Sequence, residues 1–283
     1  MTNTSTWLIT GASSGLGYDL AEYALKQGDE VVLAARTESA MRSLADRYPS
    51  TALVVAVDVA DPHQRESLIN QTQARFGKID YLVNNAGIDF LGAIEEQNEE
   101  DYRKVFEINF FSAVALLRLA LPAMRARRSG MIVNMSSMDG IASLPGNAYY
   151  SASKFALEGL TESLWQEIEP SGLKALLIEP GSFLTGIDER THFSGTMLPD
   201  YDSTSGNFFR AMQNVRELSG VMFPGDPKRA AKVLFDQLTT NPSVHRIILG
   251  SDAMNRIGAK IDDLQKDYDA SKLIAHTTDF AHV

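Results

Sequence analysis

The sequence predicts an α/β fold, a doubly wound, mostly parallel seven-stranded sheet with helices on both faces and a C-terminal helical extension. Three observations predict it. Short β-branched apolar runs alternate with helix-length amphipathic segments along most of the chain, and that alternation calls for parallel strands joined by right-handed crossovers. A run such as Leu53–Val57 is apolar without interruption, as a strand covered on both faces is. The 283 residues are 44% hydrophobic and 22% charged, which supplies a real core and excludes disorder as the main state. One domain spanning 1–283 is expected.

Trp7–Thr10 opens the alternation and runs into a glycine-rich turn ahead of a helix at Leu16–Gln27. The strand Val31–Ala35 is followed by a helix at Ser39–Arg47, Ala52–Val57 by one at Pro62–Phe76, and Tyr81–Val83 by the long Glu99–Arg127. Met131–Met135 leads to the helix Tyr150–Glu169, Ala175–Ile178 to Pro227–Thr239, and Arg246–Leu249 is the last strand. The most apolar stretch, Phe110–Met124, holds Arg118 and Pro122 and is shorter than the roughly 20 residues of a membrane span, so it is expected to be a buried helix. Two regions break the rhythm. Residues 186–224 form a long insertion with scattered Gly, Asp, Ser and aromatic residues, the pattern of a substrate-binding lid. Residues 251–283 read as one helix, Ala253–Tyr268, and a tail.

A net charge of −10 argues against a nucleic-acid binder, which needs a surplus of Lys and Arg. The chain has no cysteine, so disulfides, thiolate nucleophiles and Cys-ligated metals are excluded. Its five histidines (His63, His192, His245, His276 and His282) lack metal-ligand spacing, and no metal is expected. Met1–Trp7 is polar, without the basic-plus-apolar pattern of a secretory signal. These features together predict a cytoplasmic enzyme without membrane or nucleic-acid partners.

The chemistry concentrates at a few turns. In Thr10-Gly11-Ala12-Ser13-Ser14-Gly15-Leu16-Gly17, glycines permit a tight turn and let a pyrophosphate approach the backbone, and the helix behind it offers unpaired N–H groups. The second strand ends Ala34-Ala35-Arg36. An acid at its end would suit the ribose of NAD, whereas Arg36 suits the 2′-phosphate of NADP. Tyr150 and Lys154 are one helical turn apart, which sets an ammonium beside a phenol and favours proton transfer. Tyr268 and Lys272 repeat that spacing but read as a solvated helix end.

These motifs together resemble the short-chain dehydrogenase/reductase family. Thr10–Gly17 matches its TGxxxGxG turn and Asn84-Asn85-Ala86-Gly87 its NNAG. Asn109 stands at its helical asparagine, Ser137 lies 13 residues before Tyr150, and Pro180-Gly181 is followed by Thr185. The resemblance implies Tyr150 as general acid/base, Lys154 as depressor of the Tyr150 pKa and ribose ligand, Ser137 as holder of the substrate oxygen, and Asn109 as holder of a relay water. It further implies a cofactor cleft formed by Gly11, Ser13, Ser14, Gly15, Leu16, Gly17, Arg36, Asp58, Val59, Asn85, Ala86, Gly87, Tyr150, Lys154, Pro180, Gly181, Phe183 and Thr185. NADP(H) is the expected cofactor, with NAD(H) possible.

The substrate is expected in an apolar pocket drawn from Ile88, Phe90, Met138, Ile141, Leu144, Phe183, Phe193, Met197 and Phe209. This gives an NADPH-dependent carbonyl reductase of the hydroxysteroid- or retinol-dehydrogenase-like kind, acting on an apolar ketone or aldehyde. Two alternatives stand beside it: an NAD-linked alcohol or steroid dehydrogenase working oxidatively, and a non-catalytic NADP-binding sensor. The apolar faces of Glu99–Arg127 and Tyr150–Glu169 favour a homodimer.

Overall fold

The computed structural model describes residues 4–183, 185, 191–213, 223–240 and 242–280. Seven parallel strands form the main sheet: β1 (Thr6–Thr10), β2 (Glu30–Ala35), β3 (Ala52–Ala56), β4 (Tyr81–Asn84), β6 (Met131–Met135), β7 (Lys174–Pro180) and β9 (Arg246–Leu249). Their spatial order is β3-β2-β1-β4-β6-β7-β9. The order reverses between β1 and β4, and in such sheets the ligand crevice opens at that reversal, outside the carboxyl ends of the strands.

Strand alternation divides the core into two layers. Trp7 and Ile9 face one side with Val31, Leu33, Val133 and Ile178, where they meet Leu20 and Ala24 of α1 (Gly15–Lys26), Met41 and Leu44 of α2 (Ser39–Ala45), and Leu234 of α8 (Pro227–Thr239). Leu8, Val32, Leu82 and Ile132 face the other, against Leu68 of α3 (Pro62–Phe76), Leu116 and Ala120 of α5 (Ser112–Arg127) and Leu164 of α6 (Ala148–Ile168). Trp7 stacks on Tyr81 at 3.9 Å between ring centroids, which fixes β1 against β4.

Three features depart from the sequence expectation. The segment expected as one helix over Glu99–Arg127 is α4 (Glu99–Phe106), a π-helical turn at Glu107–Phe111, and α5. Part of the expected lid is ordered as β8 (Thr191–Phe193) and α7 (Ser205–Gln213). β8 pairs in parallel with a short strand after β4, β5 (Asp89–Leu91). Within that stretch, residues 186–190 and 214–222 lie outside the described residues. The C-terminal helix, α9, extends over Ser251–Ala275. Its polar far end lacks the Gly or Pro that would have stopped it at Tyr268.

Candidate active site

A cavity of about 660 Å³ crosses the carboxyl ends of the central strands. Every residue expected in the catalytic set or the cofactor cleft lines it except Gly17 and Asn109. The glycine turn begins at Gly11 (φ +68°) and reaches Gly15 (φ +61°), both in the left-handed region that glycine tolerates. α1 starts at Gly15 with no side-chain cap on its first amides and no acid in its first turn. Those donors at a positive helix end fit a pyrophosphate. Arg36 is exposed at the cavity edge, and Asp58 and Val59 line the same end.

Asn85 takes up a structural task beside its place in the cleft. Its Nδ2 donates to the carbonyls of Thr10 (2.9 Å) and Gly11 (3.3 Å), while the backbone N–H of Asn85 donates to Thr10 Oγ1 (3.0 Å). A Cβ at Gly17 would lie 2.3 Å from that Nδ2. Gly17 is therefore required because Asn85 clamps β4 to the turn, which places Gly17 behind the cavity wall.

The reacting end gathers Ser137, Tyr150 and Lys154. Ser137 and Tyr150 both line the cavity, Ser137 Oγ accepting from Asp139 N (3.1 Å) and donating to Asp139 Oδ2 (3.4 Å), whereas the neighbouring Ser136 faces Glu158. Lys154 Nζ donates to the Met135 carbonyl (2.8 Å) and lies 5.5 Å from the centre of the Tyr150 ring. Asn109 is buried in the π turn, and its amide is engaged on every side. Oδ1 accepts from Ile88 N (2.9 Å), and Nδ2 donates to Ile88 O (3.0 Å) and Ser153 Oγ (3.1 Å). Its side chain thus ties the π turn to the strand-end loop and to α6, and has no amide hydrogen left for a relay water.

Burial dominates the electrostatics. It raises the Tyr150 phenol above its ordinary value, Asp139 and Asp89 raise it further, and the Ser137 hydroxyl and Arg256 only partly offset them. Lys154 is buried as well. Burial lowers its own pKa to about 8 against the opposing pull of Glu158, Asp89 and Asp139. Burial likewise pushes Asp89 up to about 7 and Asp139 above the usual carboxylate range.

The substrate end is less apolar than expected. Ile88, Met138, Leu144 and Phe183 line the cavity, but Phe90, Ile141, Phe193, Met197 and Phe209 do not. Phe209 packs edge-on against Phe193 (4.6 Å), and the preceding residue on α7, Phe208, faces the cavity with Met212 and Phe223. Sequence reasoning also missed Asp89, Asp139, His192 and Arg256 in the lining. Asp89 and Asp139 had a signal, since each is a lone acid within an apolar stretch. Arg256 had none: it reaches Asp139 from α9, 117 residues further along the chain.

Comparison with known proteins agrees with this arrangement. The sequence model described as "short chain dehydrogenase" matches residues 5–193. The oxidoreductase BOA17 of Botryotinia fuckeliana is 31% identical over 256 residues, 90% of this chain and 92% of that protein. A short-chain dehydrogenase structure from Streptomyces avermitilis is 37% identical, with a TM-score of 0.91 over 99% of this chain and 100% of that one. A Burkholderia phymatum family structure in complex with NAD shares the fold at 24% identity, with a TM-score of 0.80 over 94% of this chain and 95% of that one. With a glycine turn, an NNAG turn and a Ser–Tyr–Lys set converging on one cleft of a sheet with this strand order, the chain belongs to the short-chain dehydrogenase/reductase family and is an oxidoreductase of that family.

Proposed function

We propose that this protein is an NADPH-preferring reductase of ketones or aldehydes with an apolar body, and that Tyr150 is its general acid. The observation that carries the reading is the meeting of Ser137, Tyr150 and Lys154 with the glycine turn in one cavity. Burial, with Asp139 and Asp89, holds the Tyr150 phenol above its ordinary pKa, so it enters the reaction with its proton in place.

A nicotinamide dinucleotide, when bound, supplies the hydride. The α1 amides and the turn from Gly11 to Leu16 would hold its pyrophosphate, and Arg36 its adenosine 2′-phosphate. Lys154 would hydrogen-bond its nicotinamide ribose, and Pro180, Gly181, Phe183 and Thr185 would border its nicotinamide end. Ser137 Oγ would hold the carbonyl oxygen of the substrate and stabilise the charge developing there. Tyr150 would deliver its proton to that oxygen, and Lys154, with its pKa near 8, is suited to return a proton to the phenolate. Asn109 acts as a positioning residue by fixing the π turn against Ile88 and Ser153.

The test is consumption of NADPH against a ketone panel, repeated with NADH. Tyr150→Phe is expected to lower turnover by roughly 10²- to 10⁴-fold while NADPH binding persists. A variant as active as the parent would remove Tyr150 from the mechanism.

A further inference from the structure

The hydroxyl that would meet the substrate oxygen has a rival claimant for its hydrogen. Ser137 caps the 3₁₀ turn Met138–Gly140, and its Oγ accepts the Asp139 backbone N–H at 3.1 Å. That bond fixes the oxygen and leaves one hydrogen to give, because a hydroxyl is a single donor. The Asp139 carboxylate takes it through Oδ2 at 3.4 Å. A carboxylate is a stronger acceptor than a neutral carbonyl oxygen, and an unrestrained O–H···O⁻ bond closes to about 2.5–2.7 Å. Asp139 therefore grips Ser137 loosely.

What restrains the carboxylate comes from 117 residues further along the chain. Ala253 and Ile257 are buried and seat α9 on the body, which sets Arg256 beside the 3₁₀ turn. Arg256 Nη2 pairs with Asp139 Oδ1, and its Nε donates to the Ala142 carbonyl at 2.8 Å, so the guanidinium is anchored from two sides. Both side chains are largely shielded from solvent, where a charge pair acts more strongly than at the surface. Lys154, the other cation at this end of the cavity, donates to the Met135 carbonyl. Resting on the reductase reading above, we propose that Arg256 is a positioning residue: by holding Asp139 to itself, it frees the Ser137 hydroxyl hydrogen for the substrate carbonyl. Without Arg256 the carboxylate keeps that hydrogen, and Ser137 turns a lone pair towards a carbonyl oxygen that needs a donor.

The test compares the parent, Arg256→Gln, Arg256→Lys, and Arg256→Gln combined with Asp139→Asn, using acetophenone and NADPH. Arg256→Gln should lower kcat by roughly 10- to 100-fold, the range of a hydrogen bond to a charged group. NADPH affinity by fluorescence titration should stay within about twofold of the parent. Removing the competing charge in the double variant should recover about tenfold of that loss, and Arg256→Lys, which keeps the cation, should lose less than Arg256→Gln. The decisive comparison is made without the serine. In a Ser137→Ala background, Arg256→Gln should change the residual kcat by less than about twofold, whereas a damaged fold would lower it there too. The proposal is overturned by an Arg256→Gln variant as fast as the parent, by a double variant no faster than Arg256→Gln, or by a loss that persists in the Ser137→Ala background. If the parent does not reduce acetophenone, the reductase reading fails separately. Calorimetric titration of the NADP⁺-loaded proteins with acetophenone then decides the role of Arg256. Binding weakened by Arg256→Gln and recovered in the double variant supports it, and equal binding, or none, overturns it.

Discussion

At the residue scale, the same side chains that equip the site burden the fold. Asp89 is pushed up to about 7 by burial, with Asp139 raising it further and Lys154 opposing. A carboxyl whose native pKa is raised keeps its proton in the folded state after the unfolded chain has released it. Its contribution to stability is therefore lost as pH rises from its unfolded value towards about 7. Asp89→Asn should raise the melting midpoint by a few degrees at about pH 8, and by much less at about pH 4. Asp139, Tyr150 and Lys154 face it in both proteins, so the difference between the two melting curves isolates Asp89. Arg36 carries the cofactor preference. Its guanidinium lies exposed at the cavity edge beyond Ala35, and Arg36→Asp replaces attraction for a 2′-phosphate by repulsion. The ratio of kcat/KM with NADPH to that with NADH should fall by roughly 10- to 100-fold. An unchanged ratio would place the discrimination elsewhere.

At the element scale, the spans of the seven main strands were legible because each is a short apolar run, the five inner ones buried on both faces. The break in Glu99–Arg127 was not, because the π turn is held by Asn109 bonding to the Ile88 backbone and Ser153, partners distant in sequence. β5 and β8 were missed for a related reason. Each has only three residues, too short to show a period, and each becomes a strand by pairing with the other. The last strand, β9, depends on a charge arrangement as well as on its apolar residues. Arg246 pairs with Glu158, with Glu179 (3.0 Å) and with Glu162 (3.1 Å). Glu158 and Glu179 are both buried. Arg246→Ala strands these two acids without their cation and should destabilise the fold by about 3–5 kcal/mol, measured by chemical denaturation. A cost below about 1 kcal/mol, the range of a surface pair, would show that solvent already compensates them.

At the scale of the molecule, α9 joins the site to a surface extension. Ile257 is buried and Arg256 reaches back to Asp139. From Ile261 to Phe280 every residue is exposed, including Tyr268 and Lys272, whose Tyr-x-x-x-Lys spacing has no cleft around it. Lys272 instead pairs with Asp269 at 2.7 Å. The site's contact with α9 therefore ends before Lys260. Removing residues 261–283 is expected to leave NADPH affinity within about twofold, as followed by fluorescence titration. A larger loss would mean that the extension communicates with the cleft.

The sequence by itself determined the sheet, its two helical layers, the glycine turn and the Ser137–Tyr150–Lys154 set. These depend on periodicity and on spacings within one segment, which the chain carries locally. Only the tertiary structure decided that Asn85 is a clamp, that Asn109 positions a π turn, that burial raises rather than lowers the Tyr150 pKa, and that Asp89, Asp139 and Arg256 meet in the pocket. Each depends on desolvation or on a partner distant in sequence. Neither exists until the strands have assembled and water has left the space between them.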